Sequence, residues 1–177
     1  QLYGTAEQDL DRRTTVFLDP IVEDQRLSEH EAAYLLGRVK FAAGNPAALM
    51  IIDVQERLFA AMDETSRERK LNRLNALIGG ARALELPIVW TEQYPRGLGP
   101  TVSSVAAELE GLTPQEKTSF SCLADTGIAS TVSKINRDQW LVAGMETHIC
   151  VLQTVRDLRA AHNDVHLIVD ACWSRDP

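Results

Sequence analysis

With 177 residues, 45% of them apolar and 24% charged, the chain accommodates one domain with a substantial core, and its composition excludes wholesale disorder. A formal net charge of −7 without any local Lys/Arg cluster argues against nucleic acid and anionic lipid as partners. Three cysteines without CxxC spacing argue against a disulfide framework or zinc knuckle, no apolar run approaches the roughly 20 residues of a membrane span, and the N-terminus lacks the order of a secretory signal, so a soluble protein of a reducing, cytoplasmic setting is expected.

Residues 1–46 are charged and mixed, with a short strand-like run Thr14 to Leu18. Ser28 and Glu31 have the spacing of a capping box, and Ala32, Leu35, Leu36 and Val39 follow as a helical apolar stripe. No catalytic motif occurs here, and the segment is expected to be an appended helix that packs on the domain or on a second copy of it.

The core begins at Ala47. AALMIIDVQ is a continuous apolar run ending in Asp53, as expected of a central parallel strand covered on both faces. Asp53 then lies at the carboxyl edge of a sheet, where open α/β folds bind ligands, although a helix cap is an equally ordinary role for it. After the charged stretch Asp63 to Lys70, Leu71, Leu74, Ile78, Ala81 and Leu84 recur at helical spacing, and Ile88 to Thr91 reads as a second strand emptying into Glu92, Gln93, Tyr94 and Pro95. The loop from Arg96 to Gln115, with a short helix expected from Thr101 to Leu109, is long enough to be functional. It delivers Lys117, which is either an ordinary solvated lysine or part of a site.

A helix is expected over Gly127 to Ile135. Leu141 to Ala143 reads as the end of a buried strand, Gly144 to Ile149 as a tight turn, and Val151, Leu152, Val155 and Leu158 as one face of a helix reaching about Ala161. Cys150 falls at the corner between strand and helix. The first turn of a helix presents unpaired N–H groups and a positive dipole end, which favour a thiolate and can receive an oxyanion; the alternative is that Cys150 is a small buried hydrophobe. A last strand is expected from Asp164 to Asp170. The alternation of strands and helices from Ala47 predicts a three-layer α/β/α sandwich with a mostly parallel central sheet. GxGxxG, GxxxxGK[ST] and GxSxG are absent, and His148, His162 and His166 lack the spacing or carboxylates a metal needs, so no metal site is expected.

Five segments taken together, LMIIDVQ, VWTEQYPRGLGPTV, EKTSFSC, VAGMETHICVLQTVRDL and VHLIVDACWSR, resemble the isochorismatase-like cysteine hydrolases, most nearly the branch of isochorismatase-domain-containing hydrolases that carry TEQYPxGLGPT. The resemblance covers about Ala47 to Pro177. It implies a Rossmann-like topology, no cofactor, and a catalytic Asp–Lys–Cys triad at Asp53, Lys117 and Cys150. It also implies a cis peptide at Met145–Glu146, with the backbone of Glu146 and Cys150 as the oxyanion hole; Gln55, Gln93 and Tyr94 are candidates to line the substrate pocket by position. The implied chemistry is hydrolysis of a C–N bond in a small amide-like substrate, with Asp53 as general base, Lys117 favouring the thiolate, and a thioester on Cys150.

The metal-binding Asp and His residues of the nicotinamidase branch have no counterpart in TEQYP, which argues against nicotinamide. The branch that cleaves a vinyl ether dispenses with the cysteine, so Cys150 points to carbonyl chemistry. Relatives continue with another helix and strand, so 47–177 is expected to lack that last pair, and residues 1–46 to be an extension that relatives generally lack. A homo-oligomer is expected. The alternative function is a catalytically idle family member serving as a binding or assembly subunit; a redox-sensing role for Cys150 is a third reading.

Overall fold

The computed structural model of the chain describes residues 47–175. The expected N-terminal strand and helix, and with them the stripe through Leu35 and Val39, lie outside the described residues. Five strands form one sheet: β1 (Ala48–Ile52), β2 (Ile88–Gln93), β3 (Gln115–Lys117), β4 (Gln139–Met145) and β5 (Asp164–Trp173). Their spatial order is β3-β2-β1-β4-β5, and every neighbouring pair is parallel. The chain therefore winds outward from β1 in one direction and then from β4 in the other, which places the switch point between β1 and β4.

The all-apolar run of β1 follows from this position, because both of its faces are covered. Leu49 and Ile51 point into one apolar layer, Ala48, Met50 and Ile52 into the other, and all five are buried. The first layer is filled by α2 (Glu64–Ala83), which contributes Leu71, Leu74, Leu77, Ile78 and Ala81, and by Val105 of α4 (Ser103–Glu108). The second takes Ile128 from α5 (Thr126–Ile135) and Leu158 from α6 (Leu152–Ala160). Two single-turn helices, α1 (Glu56–Ala60) and α3 (Pro95–Leu98), complete the loops at the carboxyl edge.

The charged stretch before Leu71 is itself helical. Asp63 caps α2 by accepting from the Ser66 amide at 3.0 Å and the Thr65 hydroxyl at 2.6 Å, so the exposed first turns need no apolar face to start. These two hydrogen bonds hold the Asp63 carboxyl down at about 2. Two further elements differ from the sequence expectation. Gln115 to Lys117, read as loop, is an edge strand in register with Thr91 to Gln93; three polar residues are too short a run to show a period of two. The last strand runs past Asp170 to Trp173, with its register to β4 shifting between Val142 and Gly144.

A glycine stands at that shift. Gly144 adopts φ 129°, and a Cβ there would lie 2.1 Å from the carbonyl oxygen of Ile52. Only glycine lets β4 pass this close to the end of β1, at the point where both strands deliver their next residues to the sheet edge.

Candidate functional site

Beyond Ile52 the backbone leaves the strand abruptly. Asp53 takes φ 52°, a left-handed conformation that aspartate tolerates better than most residues, and its amide still reaches the Thr91 carbonyl at 3.2 Å. Its side chain is fully buried. Oδ2 accepts from Lys117 Nζ at 2.6 Å, and Oδ1 accepts from the Thr91 hydroxyl at 2.7 Å. Thr91 was not among the sequence-derived candidates; it stands one strand over from β1, at a position that a strand pattern marks only as buried.

Lys117 comes from the far edge of the sheet, at the end of β3, and its ammonium is enclosed. Besides Asp53 it meets Gln93 Oε1 at 2.7 Å and the carbonyls of Ser119 and Phe120 at 3.2 Å each. Burial works against its charge, but the Asp53 carboxylate holds the ammonium above the usual lysine range. Of the two readings of Lys117, the solvated one is excluded, since the side chain is 0% exposed.

Gln55 and Gln93 face the same region but are engaged with the protein. The Gln55 amide accepts from the Gln93 N–H at 2.8 Å and donates to the carbonyls of Gln93 at 3.1 Å and Gly99 at 2.6 Å. Gln93 holds Lys117 on one side and the Thr118 carbonyl at 3.0 Å on the other. Tyr94 is left-handed (φ 38°) and 55% exposed, with its ring laid over Gly97, where a Cβ would meet ring carbons at 2.3 Å. Of the three residues assigned to the pocket by position, Tyr94 alone turns a large free surface outward.

The peptide between Met145 and Glu146 is cis, and a π-helical turn, Thr147–Val151, follows it. The amides of Ile149 and Val151 both donate to the Glu146 carbonyl, at 3.0 and 3.2 Å, with the Cys150 amide between them. Cys150 is buried, with its thiol close enough to the Asp53 carboxylate to feel its charge. Burial and then the Asp53 charge push this thiol up to about 12, against the pull of Lys117. The help that Lys117 was expected to give a thiolate is thus opposed in the resting site by burial and by the Asp53 charge, which stands against the lysine at 2.6 Å. Cys122 lies beneath, 3.8 Å from the Thr91 hydroxyl, and burial raises its thiol to about 11.

The structure therefore brings Asp53, Lys117 and Cys150 to one point beside the switch between β1 and β4, with Thr91 and Gln93 holding them. A buried carboxylate paired with an ammonium and close to a thiol can take one proton and return it, and the surrounding amides can face a developing negative charge. Among the described residues no group of three His, Cys, Asp or Glu side chains could hold a metal ion, and no helix is long and apolar enough to cross a membrane.

Comparison with known proteins agrees with this architecture. The sequence model of the isochorismatase domain matches residues 47–177. An isochorismatase domain-containing protein 2 from Danio rerio is 34% identical over 129 residues, covering 73% of this chain and 64% of its own length. The structure of a protein described as a MAR1 ribonuclease from Caenorhabditis elegans superposes with a TM-score of 0.66 at 36% identity, over 73% of this chain and 66% of that one. The YcaC gene product of Escherichia coli, described as an octameric hydrolase of unknown specificity, has a TM-score of 0.65 at 19% identity, over 73% of this chain and 64% of that one, and shares the fold. The chain thus spans a little under two thirds of these relatives. By the match over residues 47–177 and by the hydrolase-type fold that carries it, the chain belongs to the isochorismatase family.

Proposed function

We propose that this domain hydrolyses a C–N bond of a small amide-like substrate, with Cys150 as nucleophile and a thioester as intermediate. The observation that supports this reading most is the buried carboxylate of Asp53, whose two oxygens are held by Lys117 and Thr91 and whose charge acts on the Cys150 thiol. Cys150 sulfur attacks the carbonyl carbon as its proton passes to Asp53, and the carbonyl π pair moves onto oxygen. The Glu146 and Cys150 amides are assigned to that oxyanion, and the consumption of both amides flanking Cys150 by the Glu146 carbonyl supports the choice. Collapse of the intermediate expels the amine, which takes the proton back from Asp53. Water then attacks the thioester, giving its proton to Asp53, and the acid leaves as sulfur is reprotonated.

Because burial and the Asp53 charge push the Cys150 thiol up, proton transfer accompanies attack, and the buried pair with Lys117 serves to keep the Asp53 carboxylate correctly turned. The ribonuclease description of the C. elegans relative would instead require cations facing a phosphate. The one lysine of this site is already spent on Asp53, Gln93 and two carbonyls. A homo-oligomer, as described for the E. coli protein, belongs to the same proposal: Leu167 and Val169 are exposed on β5, which with β3 forms the two sheet edges among the described residues, and self-association would cover them. A monomeric mass in sedimentation would remove that part.

The test is intact-mass analysis with a panel of small primary amides and imides, alongside a labelled single-stranded RNA, for the parent, Cys150→Ala and Asp53→Asn. An acyl adduct or released ammonia that needs both residues is expected. Cys150-independent silence across the panel would favour the idle, partner-binding alternative, and RNA cleavage dependent on Cys150 would overturn the substrate class.

A further inference from the structure

Three consecutive residues of the turn before Cys150 are each tied to one of three consecutive residues at the exit of β5. Glu146 accepts from Arg175 through Nε at 2.6 Å and Nη2 at 3.2 Å. Thr147 donates from its hydroxyl to the Trp173 carbonyl at 2.8 Å, and His148 Nδ1 meets the Ser174 hydroxyl at 3.0 Å. We propose that this Trp173–Ser174–Arg175 segment is a brace for the oxyanion-binding turn, and that Arg175 acts, through Glu146, as a positioning residue for acyl transfer. The proposal rests on the thiol-hydrolase reading above.

Its physical basis is the place of Glu146. The residue follows the cis peptide, its own amide is one assigned oxyanion donor, and its carbonyl holds the amides of Ile149 and Val151 on either side of the second donor, Cys150. Whatever fixes Glu146 therefore fixes both donors together. Its carboxylate side chain is 6% exposed, while Arg175 is 56% exposed, so the fork reaches in from the rim to a buried anion. A two-pronged guanidinium sets angle as well as distance, which a lysine cannot reproduce. Acyl transfer depends on such placement, because donors must sit about 3 Å from the oxygen as it acquires charge. Alkylation of the same sulfur by a haloacetamide develops no oxyanion and has no use for them.

That difference gives the test. The parent, Arg175→Met, Arg175→Lys, Glu146→Gln and the Glu146→Gln/Arg175→Met pair are compared in two reactions of Cys150: the p-nitrophenolate burst with p-nitrophenyl acetate, and alkylation by iodoacetamide followed by peptide mass. Arg175→Met is expected to slow the burst by about tenfold or more, less than the loss of a whole donor, while alkylation changes less than about twofold. Arg175→Lys should lie between parent and methionine variant, and the double variant should be no slower than the slower single one. Equal bursts for parent and Arg175→Met would overturn the proposal, as would a parallel fall of burst and alkylation, the mark of general loosening. A parent that alkylates at Cys150 yet shows no Cys150-dependent burst would instead bring down the hydrolase reading, and this proposal with it.

Discussion

Replacing Lys117 by methionine isolates the energetic centre of the site. The side chains of Lys117 and Asp53 are both 0% exposed and meet at 2.6 Å, so the substitution strands a buried carboxylate and removes the donor from Gln93 Oε1 and two carbonyls. Breaking a buried pair from one side costs about 3–5 kcal/mol. Asp53 keeps the Thr91 hydroxyl, which places the expected loss near the middle, about 4 kcal/mol. With a urea m-value of about 2 kcal/mol/M, the midpoint should fall by about 2 M at pH 7. The surface pair of Arg159 and Asp164 is an internal control, since it has a similar separation of 3.0 Å but side chains 59% and 67% exposed. Arg159→Met should cost less than about 1 kcal/mol. Removing both buried charges in Asp53→Asn/Lys117→Met should recover part of the loss, because no uncompensated ion remains. A Lys117→Met midpoint within 0.5 M of the parent, on the order of the 1 kcal/mol surface value, would refute the argument that burial makes this pair structural as well as chemical.

Two further outcomes follow from the backbone and from proton linkage. Gly144→Ala drives a Cβ to 2.1 Å from the Ile52 carbonyl oxygen at φ 129°, and should cost roughly 3 kcal/mol, read as a fall of about 10 °C in a reversible melt; an unchanged Tm would show that β1 and β4 can part there. The thiols of Cys122, Cys150 and Cys172 are raised to about 11, 12 and 12 from 9.0, so the unfolded chain loses these protons first and stability should fall as pH rises from about 9. Lys117, raised above 10.5, adds to the fall at higher pH by the same sign; a urea midpoint flat from pH 8 to 10.5 would contradict the linkage.

Much of this architecture was legible because burial on both faces leaves an unmistakable trace: the runs through Met50 and Val142 could belong only to central elements. Asp53 and Cys150 were legible as candidates partly by place, at the end of an apolar run and at a strand-to-helix corner, and partly by resemblance, and Lys117 by resemblance alone. Thr91 was not, because a hydroxyl inside a strand reads the same whether it faces a carboxylate or a neighbouring methyl. Strand β3 escaped because its partner, not its composition, makes it a strand. The protonation of Cys150 depends on where the Asp53 charge sits relative to that of Lys117, a distance between residues 64 apart in sequence. The pairing of Arg175 with Glu146, 29 residues apart, is hidden for the same reason.

The contacts of Gln55 have a consequence for how a sheet can surrender one of its residues to chemistry. Once Asp53 turns left-handed, the main chain of β1 no longer runs beside β2, yet the carboxamide of Gln55 gives Gln93 one acceptor and one donor, the same pair a peptide group would offer. A side chain thus stands in as the next rung of the β1–β2 ladder. The backbone is released to aim its carboxylate inward without opening the sheet at its busiest corner. Glutamate at this position would lack the donor, and asparagine would fall one methylene short of the span.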